Sequence, residues 1–167
     1  MAWCPWKPDI IASGSTYPEG AIRLWSVNAS DAMLPQSTIR LDTSVTSLVW
    51  SPHCKELLST HGSSWNPHGS YSTADLQGDE NLTMPGGHVY TKTKYTDSIT
   101  VHSWPSLKHV VSVQAHSRPV GHSCLSPDGT LVFTICPDEE AMKMWKVWGG
   151  PAKVERRESV FTKFGIR

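Results

Sequence analysis

The stretch VGHSCLSPDGTLVFTICPDEEAMKMWKVW, residues 120–148, decides the fold class because it reads as three short strands separated by turns. Residues 120–125 lead into Ser126-Pro127-Asp128-Gly129, where proline presets the first turn position and glycine supplies the positive φ that reverses the chain. Leu131 to Ile135 is a β-branched and aromatic run of strand length. A polar break at 137–140 precedes an alternating strand at 141–147. Three such strands cannot bury a face alone, so the unit needs neighbours.

The same order of elements occurs twice more in the chain. In the first unit, residues 1–41, the segment AIRLWSV at 21–27 matches AMKMWKV at 141–147 position by position. The second unit begins at Val45 and has His102 where Trp25 and Trp145 lie in the other units. We expect outer, fourth strands at 37–41 and 108–113. The last unit has three strands.

The spacing of the units indicates the architecture. Pro5 and Pro52, and likewise His102 and Trp145, are separated by roughly 45 residues, close to the ~40–45-residue repeat of WD-type blades. Each such blade is a four-stranded antiparallel sheet. The sequence therefore predicts an all-β fold over residues 1–150. This fold is a partial WD-repeat β-propeller with about three of an expected seven blades.

Two segments depart from the repeat. Residues 63–97 lengthen the second unit and are rich in Ser, Gly, Asn, Pro and Thr. This composition predicts a disordered loop insertion, except near Val89 and Tyr90. Gly149-Gly150-Pro151 breaks the last strand, and the residues that follow are polar and charged. We therefore expect residues 151–167 to form a flexible tail that ends in Ile166-Arg167.

Composition and spacing argue against several functions. Fifteen basic and fifteen acidic side chains leave no net charge to favour nucleic acid or an anionic membrane. No apolar run approaches the ~20 residues that span a bilayer, and the N-terminus lacks a signal-peptide pattern. The four cysteines are widely spaced, which favours buried free thiols in a reducing compartment over disulfides or a zinc site. No nucleophile–base pattern, phosphate loop or metal-ligand spacing occurs, so we predict no enzyme activity, no cofactor and no metal.

The motifs, taken in order, resemble one family. AWCPW, AIRLW, VTSLVWSP, KELLSTHG, WPSL, AHSRPV, SPDG and the blade ending at Met144-Trp145 are similar to the last blades of the fizzy and fizzy-related proteins. These are the WD-repeat activators of the anaphase-promoting complex (APC). The resemblance implies a non-catalytic activator and substrate-recognition subunit of this ubiquitin ligase, acting in cell division in the nucleus and cytoplasm. The insertion suggests a divergent branch, such as a meiosis-specific activator.

The resemblance also implies site residues. Members of the family typically end in a free Ile-Arg that docks onto a tetratricopeptide-repeat subunit of the complex, which assigns docking to Ile166 and Arg167. An arginine fork can pair with carboxylates, and isoleucine adds an apolar anchor. In the family, an acidic residue of the last blade pairs with the arginine of the destruction box, a degron of substrate proteins. Glu139 and Glu140 align there, and Glu140 is the candidate. The alternatives are a solvated turn carboxylate and a chance Ile-Arg ending.

The site for a second degron, the Lys-Glu-Asn box, departs from the family pattern. The family uses an arginine in a His-Thr-Ser-Arg-Val turn, but here Pro119 occupies that position and Arg118 lies one residue earlier. Trp65 lies where a glutamine is expected. We therefore assign Arg118 to this site and expect its recognition to be altered or lost.

Two other functions are compatible with these residues, namely a generic WD-repeat interaction scaffold and a truncated, inactive fragment of an activator. Three units make less than half of a ring, so the sequence suggests a fragment without the earlier blades. Because such a piece exposes a strand edge and an apolar face, we expect it to aggregate or fold poorly alone. We expect the tryptophans of the repeats to pack between blades, and His61 and His116 to fix turns by hydrogen bonds.

Overall fold

The computed structural model describes residues 1–29, 34–66 and 89–149. Its first sheet, blade 1, is antiparallel with four strands paired in chain order: β1 Ala2–Trp3, β2 Ile10–Gly14, β3 Ala21–Ser26 and β4 Ser37–Arg40. The buried residues of β2 alternate with more exposed ones, as expected for a strand with one covered face. Blade 1 therefore has the strands that the repeat predicts.

Blade 2 is the largest sheet. Its main strands pair in the order β5, β6, β8, β9, and β7 pairs with the far end of β6. The bounds are β5 Thr43–Trp50, β6 Glu56–Asn66, β7 Val89–Tyr90, β8 Ser98–Ser103 and β9 His109–Gln114. The outer strand predicted at 108–113 is thus present, one residue later.

Blade 3 has three antiparallel strands, β10 His122–Leu125, β11 Leu131–Cys136 and β12 Ala141–Lys146, with a 3₁₀ turn at Pro137–Glu139. Gly129 has φ 72° and donates its N–H to the Ser126 carbonyl at 2.9 Å, which closes the predicted turn. A Cβ at Gly129 would lie 2.3 Å from Pro52 Cγ. Glycine therefore also lets this turn pack against blade 2.

The three blades share one register, which defines equivalent residues. Trp25, His102 and Trp145 pair with Ile11, Leu57 and Val132 on the neighbouring strands. Successive side chains of a strand point to opposite faces, so every blade has a face that carries this position and a reverse face. The reverse faces of blades 1 and 2 each pack against the face of the next blade that carries this position.

Two apolar cores lie between the blades. The first joins the reverse face of blade 1 to blade 2 and includes Ile22, Leu24, Trp50 and Leu57. The second joins the reverse face of blade 2 to blade 3 and includes Leu58, Ile99, Val101, Val120 and Val132. Trp50 is buried as predicted, whereas Trp25 and Trp145 are only partly buried.

Within the loop insertion predicted to be disordered at 63–97, the described residues include strands. Its first residues continue β6, and Trp65 is fully buried, with its ring centroid 5.2 Å from that of Tyr17. Residues 91–97 lead from β7 into β8, and residues 67–88 lie outside the described part of the chain. The sequence missed these boundaries because a Ser-rich strand and a single tryptophan have no apolar periodicity.

All four cysteines are free, as predicted, but only Cys4 and Cys136 are buried, whereas Cys54 is half-buried and Cys124 is exposed. In the described ranges, no helix is long and apolar enough to cross a membrane.

Candidate functional site

A chain of hydrogen bonds joins blade 3 to the loop that enters it. Trp145 Nε1 donates to Thr134 Oγ1 at 2.9 Å, and Thr134 Oγ1 lies 3.0 Å from His116 Nε2. His116 Nδ1 lies 2.7 Å from Glu139 Oε2. With the proton on Nδ1, His116 donates to Glu139 and accepts from the Thr134 hydroxyl, so each buried polar atom is satisfied. The prediction that His116 fixes a turn is confirmed.

Glu139 is fully engaged in this network. The backbone N–H and the hydroxyl of Ser117 both donate to Glu139 Oε1, while His116 holds Oε2. The hydrogen bonds from Ser117 and His116 lower the pKa of Glu139 to about 2. The carboxylate is therefore ionised and already paired. Glu139 is not free to pair with the arginine of a peptide, which leaves Glu140 as the candidate.

Glu140 differs from Glu139 although the two are adjacent. Its backbone has φ 50°, in the left-handed region, and its N–H donates to the Pro137 carbonyl at 3.1 Å. Gly20 and Asp97 precede the third strands of blades 1 and 2 with φ 53° and 51°. The conformation therefore belongs to the repeat, and in blade 3 it directs Glu140 outward. Its exposed carboxylate contacts no hydrogen-bond or ion-pair partner within the described residues.

Arg118 lies at the junction of blades 2 and 3. It is exposed and directly follows Ser117, which binds Glu139, so Arg118 and the 139–140 turn belong to the same end of blade 3. Burial raises the pKa of the nearby Asp97, although the positive charges of Lys92 and Arg118 act to lower it. Asp97 Oδ1 is buried without a hydrogen-bond partner in the described chain. This end of the junction thus combines an exposed cation with an unsatisfied acid.

The two departures from the family pattern have structural causes. Pro119 packs beside Gly62, since a Cβ at Gly62 would lie 3.3 Å from Pro119 Cβ. Trp65 is buried, so it presents no polar group where the family has a glutamine. The predicted docking residues, Ile166 and Arg167, lie outside the described residues.

In the described residues of blade 2, two buried histidines take the place of the hydrogen-bond network seen in blade 3. His102 holds the tryptophan position, and Ser59 Oγ lies 2.9 Å from His61 Nε2. The Nδ1 atoms of His61 and His102 have no hydrogen-bond partner among the described residues. Burial lowers the pKa of His61 to about 3 and that of His102 to about 4. His61 lies within β6, so the prediction that it fixes a turn is wrong.

One group of side chains has the composition of a metal site. His116, Cys136 and Glu139 place one possible ligand atom each within 4.8 Å of one another. Both ring nitrogens of His116 and both carboxylate oxygens of Glu139 are already in hydrogen bonds. The positions of His116 and Glu139 are therefore explained by the hydrogen-bond network that closes blade 3.

Comparison with known proteins identifies the relatives of the chain. No family model matches it. It is 33% identical over 150 residues to the WD repeat-containing protein slp1 of Schizosaccharomyces pombe, covering 90% of this chain and 24% of that protein. It is 24% identical to the Arabidopsis thaliana protein named cell division cycle 20.5, cofactor of APC complex, over 94% of this chain and 27% of that protein. The APC/C activator protein CDH1 of Saccharomyces cerevisiae is 28% identical over 98% of this chain and 23% of that protein.

The chain is a homologue of the APC activators. The family predicted from the sequence is thereby confirmed. This homologue spans about a quarter of the length of the curated relatives that it matches.

Solved structures support the same fold. A chain in the crystal structure of the mitotic checkpoint complex matches with a TM-score of 0.62 and 30% identity, over 89% of this chain and 35% of that chain. Sqt1 of Chaetomium thermophilum matches with a TM-score of 0.56 at 17% identity, over 90% of this chain and 31% of that chain. At this low identity, the match supports the fold alone. The partial WD-repeat β-propeller predicted for this homologue is confirmed.

Proposed function

We propose that the chain acts as an activator and substrate receptor of the APC, bridging degron-bearing proteins to the ubiquitin ligase without catalysing a reaction. The observation that carries this proposal is its homology over 94% or more of its length to proteins named as a cofactor of the APC complex and as an APC/C activator. His116, Thr134 and Glu139 form hydrogen bonds that close blade 3, and charged side chains are left at one end of it. This arrangement suits peptide recognition. We assign the protein to the nucleus and cytoplasm of dividing cells, including meiotic cells.

Glu140 is the proposed partner of the arginine in a destruction box. Its backbone is fixed by the hydrogen bond to Pro137, while its carboxylate is exposed and unpaired among the described residues. A carboxylate in this state can accept two parallel hydrogen bonds from a guanidinium, the strongest geometry available to such a pair. Glu139, one residue earlier, forms the hydrogen bonds that hold this turn against His116 and Ser117.

Arg118 is the proposed contact for a second class of peptide. The guanidinium is exposed, so this end of the junction offers an anion-binding group to a peptide. Pro119 stiffens the turn and removes the side chain that the family uses at that position. We therefore propose that this surface binds a motif different from the Lys-Glu-Asn box.

Ile166 and Arg167 are the proposed docking residues for a tetratricopeptide-repeat subunit of the complex. A synthetic peptide of residues 154–167, VERRESVFTKFGIR, should bind the purified complex, as followed by fluorescence anisotropy. Removing Ile166 and Arg167 should weaken binding at least ~10-fold, since the arginine fork, the apolar anchor and the terminal carboxylate position are all changed.

Two further peptides serve as controls for docking. A Lys163→Ala peptide keeps the ending and should bind like the parent, and a peptide ending in Arg-Ile keeps the composition and should bind like the clipped one. Equal binding of the parent and clipped peptides would refute the docking role. A generic WD-repeat scaffold predicts that none of the peptides binds.

A further inference from the structure

Residues 91–97, the strap, join β7 to β8 and are an addition to the repeat. The corresponding connections between the second and third strands are residues 15–20 in blade 1 and 137–140 in blade 3. In blade 2 the path from β6 to β8 runs through the insertion, and the strap is its returning part. The repeat alone therefore does not explain why the strap is held against the blade.

Hydrogen bonds fix the strap to two strands of blade 2. Thr93 Oγ1 and Thr96 Oγ1 donate to Ser64 Oγ at 3.2 and 3.0 Å, near the end of β6. Ser112 Oγ on β9 donates to the Lys94 carbonyl at 2.8 Å. The strap thus crosses from the second strand of the blade to the outer strand. Because it is attached at both places, its side chains have defined positions.

Tyr95 holds the strap on the face of blade 2 that carries His102. Its ring centroid is 6.0 Å from those of His61 and His109, and the rings of His109 and His102 are 6.1 Å apart. Tyr95 also packs against the core between blades 1 and 2. In the other two blades, the residue equivalent to His102 is a tryptophan. The strap therefore supplies the large aromatic ring that the third strand of blade 2 lacks.

The strap places Lys92 at the end of the blade junction that carries Arg118. Thr91 donates its N–H to the Ser64 carbonyl at 3.1 Å, and the turn that holds Arg118 packs beside Gly62, two residues earlier on β6. These two attachments are about 7 Å apart along the strand. Lys92 and Arg118 are both exposed, and both positive charges act to lower the pKa of the same buried carboxyl group.

We propose that the strap, held on blade 2 by Tyr95, makes Lys92 a second cation beside Arg118 for binding substrates that carry an acidic segment. Neither cation forms a salt bridge within the described residues, so both are available to a ligand. A segment with two carboxylates can pair with both through charge-assisted hydrogen bonds. The substrate part of this inference rests on the proposed function.

Direct binding of an acidic peptide to the 167-residue chain tests the surface. A labelled peptide that alternates glutamate and serine should bind, as followed by fluorescence anisotropy, and its glutamine version should bind about 10-fold more weakly. Lys92→Glu should weaken binding about fivefold. Lys108→Glu is the matched control, because it makes the same charge change on an exposed residue beyond the other end of β8 and should bind like the parent.

Variants of Tyr95 test whether the strap positions Lys92. Tyr95→Ala should weaken binding as much as Lys92→Glu, whereas Tyr95→Phe keeps the ring and should bind like the parent. Tyr95→Ala also lowers the stability of blade 2, so His102→Trp is added to it to restore an aromatic ring on that face. The double variant should regain stability in urea unfolding but not peptide binding, because the strap is still released.

Three results would overturn the proposal. They are equal binding of the glutamate and glutamine peptides, unchanged binding by Lys92→Glu, and peptide binding that recovers in the double variant. Tighter binding of a phosphoserine peptide together with no binding of the glutamate peptide would overturn the choice of carboxylates. This measurement uses neither the APC nor a destruction box. Its failure would remove the acidic-peptide surface and leave the activator role, whereas failed recruitment to the APC would remove the activator role alone.

Discussion

Replacing His116 with alanine is expected to lower the free energy of unfolding by roughly 3 kcal/mol, because it removes the centre of a buried network. His116 joins the Thr134 hydroxyl to the Glu139 carboxylate, and Trp145 depends on Thr134 for its own acceptor. The substitution leaves a buried hydroxyl and an ionised carboxylate with fewer partners. Urea unfolding followed by tryptophan fluorescence, at one fixed chain concentration, measures the change.

The control for this prediction is His122→Ala. His122 is exposed on β10 and has no side-chain hydrogen bond within the described residues, so its loss should change the stability by about 0.5 kcal/mol or less. Equal stability of the two variants would show that the network contributes nothing to blade 3. The interpretation of Glu139 as a paired, structural group would then fail as well.

Lowering the pH from 7 to 5 is expected to destabilise the fold by about 2 kcal/mol for each of two histidines. His61 and His102 are buried and neutral, with pKa values lowered from 6.5 to about 3 and about 4. In the unfolded chain they gain protons as the pH falls below 6.5, whereas in the folded chain they do not. Their contribution to stability is therefore complete above pH 6.5 and declines toward pH 4 and below.

Unfolding free energies at pH 7, 6 and 5 measure this effect. A His61→Asn, His102→Gln double variant should be less stable at pH 7 but should lose most of the pH dependence. Asp97 works in the opposite direction, because burial raises its pKa and the folded chain takes up its proton more readily. Glu139 affects the free energy of unfolding only at lower pH, because its stabilising contribution is lost as the pH falls below 4.5, its ordinary pKa. A stability that stays constant from pH 7 to 5 would contradict the burial of neutral histidines.

Much of the fold could be predicted because the repeat determines the pairing register. The match of residues 21–27 to 141–147 placed Trp25 and Trp145 at equivalent positions, and the strands confirm it. The end of β6 could not be predicted, because Trp65 is buried by Tyr17, which is distant in sequence and belongs to another blade.

The candidate site was only partly predictable. The sequence places Glu139 and Glu140 next to each other, and nothing local distinguishes them. Their difference depends on the left-handed conformation of Glu140 and on the arrival of His116 and Ser117 at Glu139. The substitution of histidine for tryptophan at position 102 was visible in the sequence, whereas the burial of His61 was not.

The bridging role is tested most directly by recruitment of a degron to the complex. A labelled peptide carrying a destruction box with its arginine is added to immobilised APC, with and without the chain. The chain should increase the retained peptide, Glu140→Gln should weaken retention about fivefold, and Asp138→Asn in the same turn should not change it. Removing Ile166 and Arg167 should abolish the increase. Retention that is unchanged by the chain, or increased equally by the truncated chain, would contradict the proposed function.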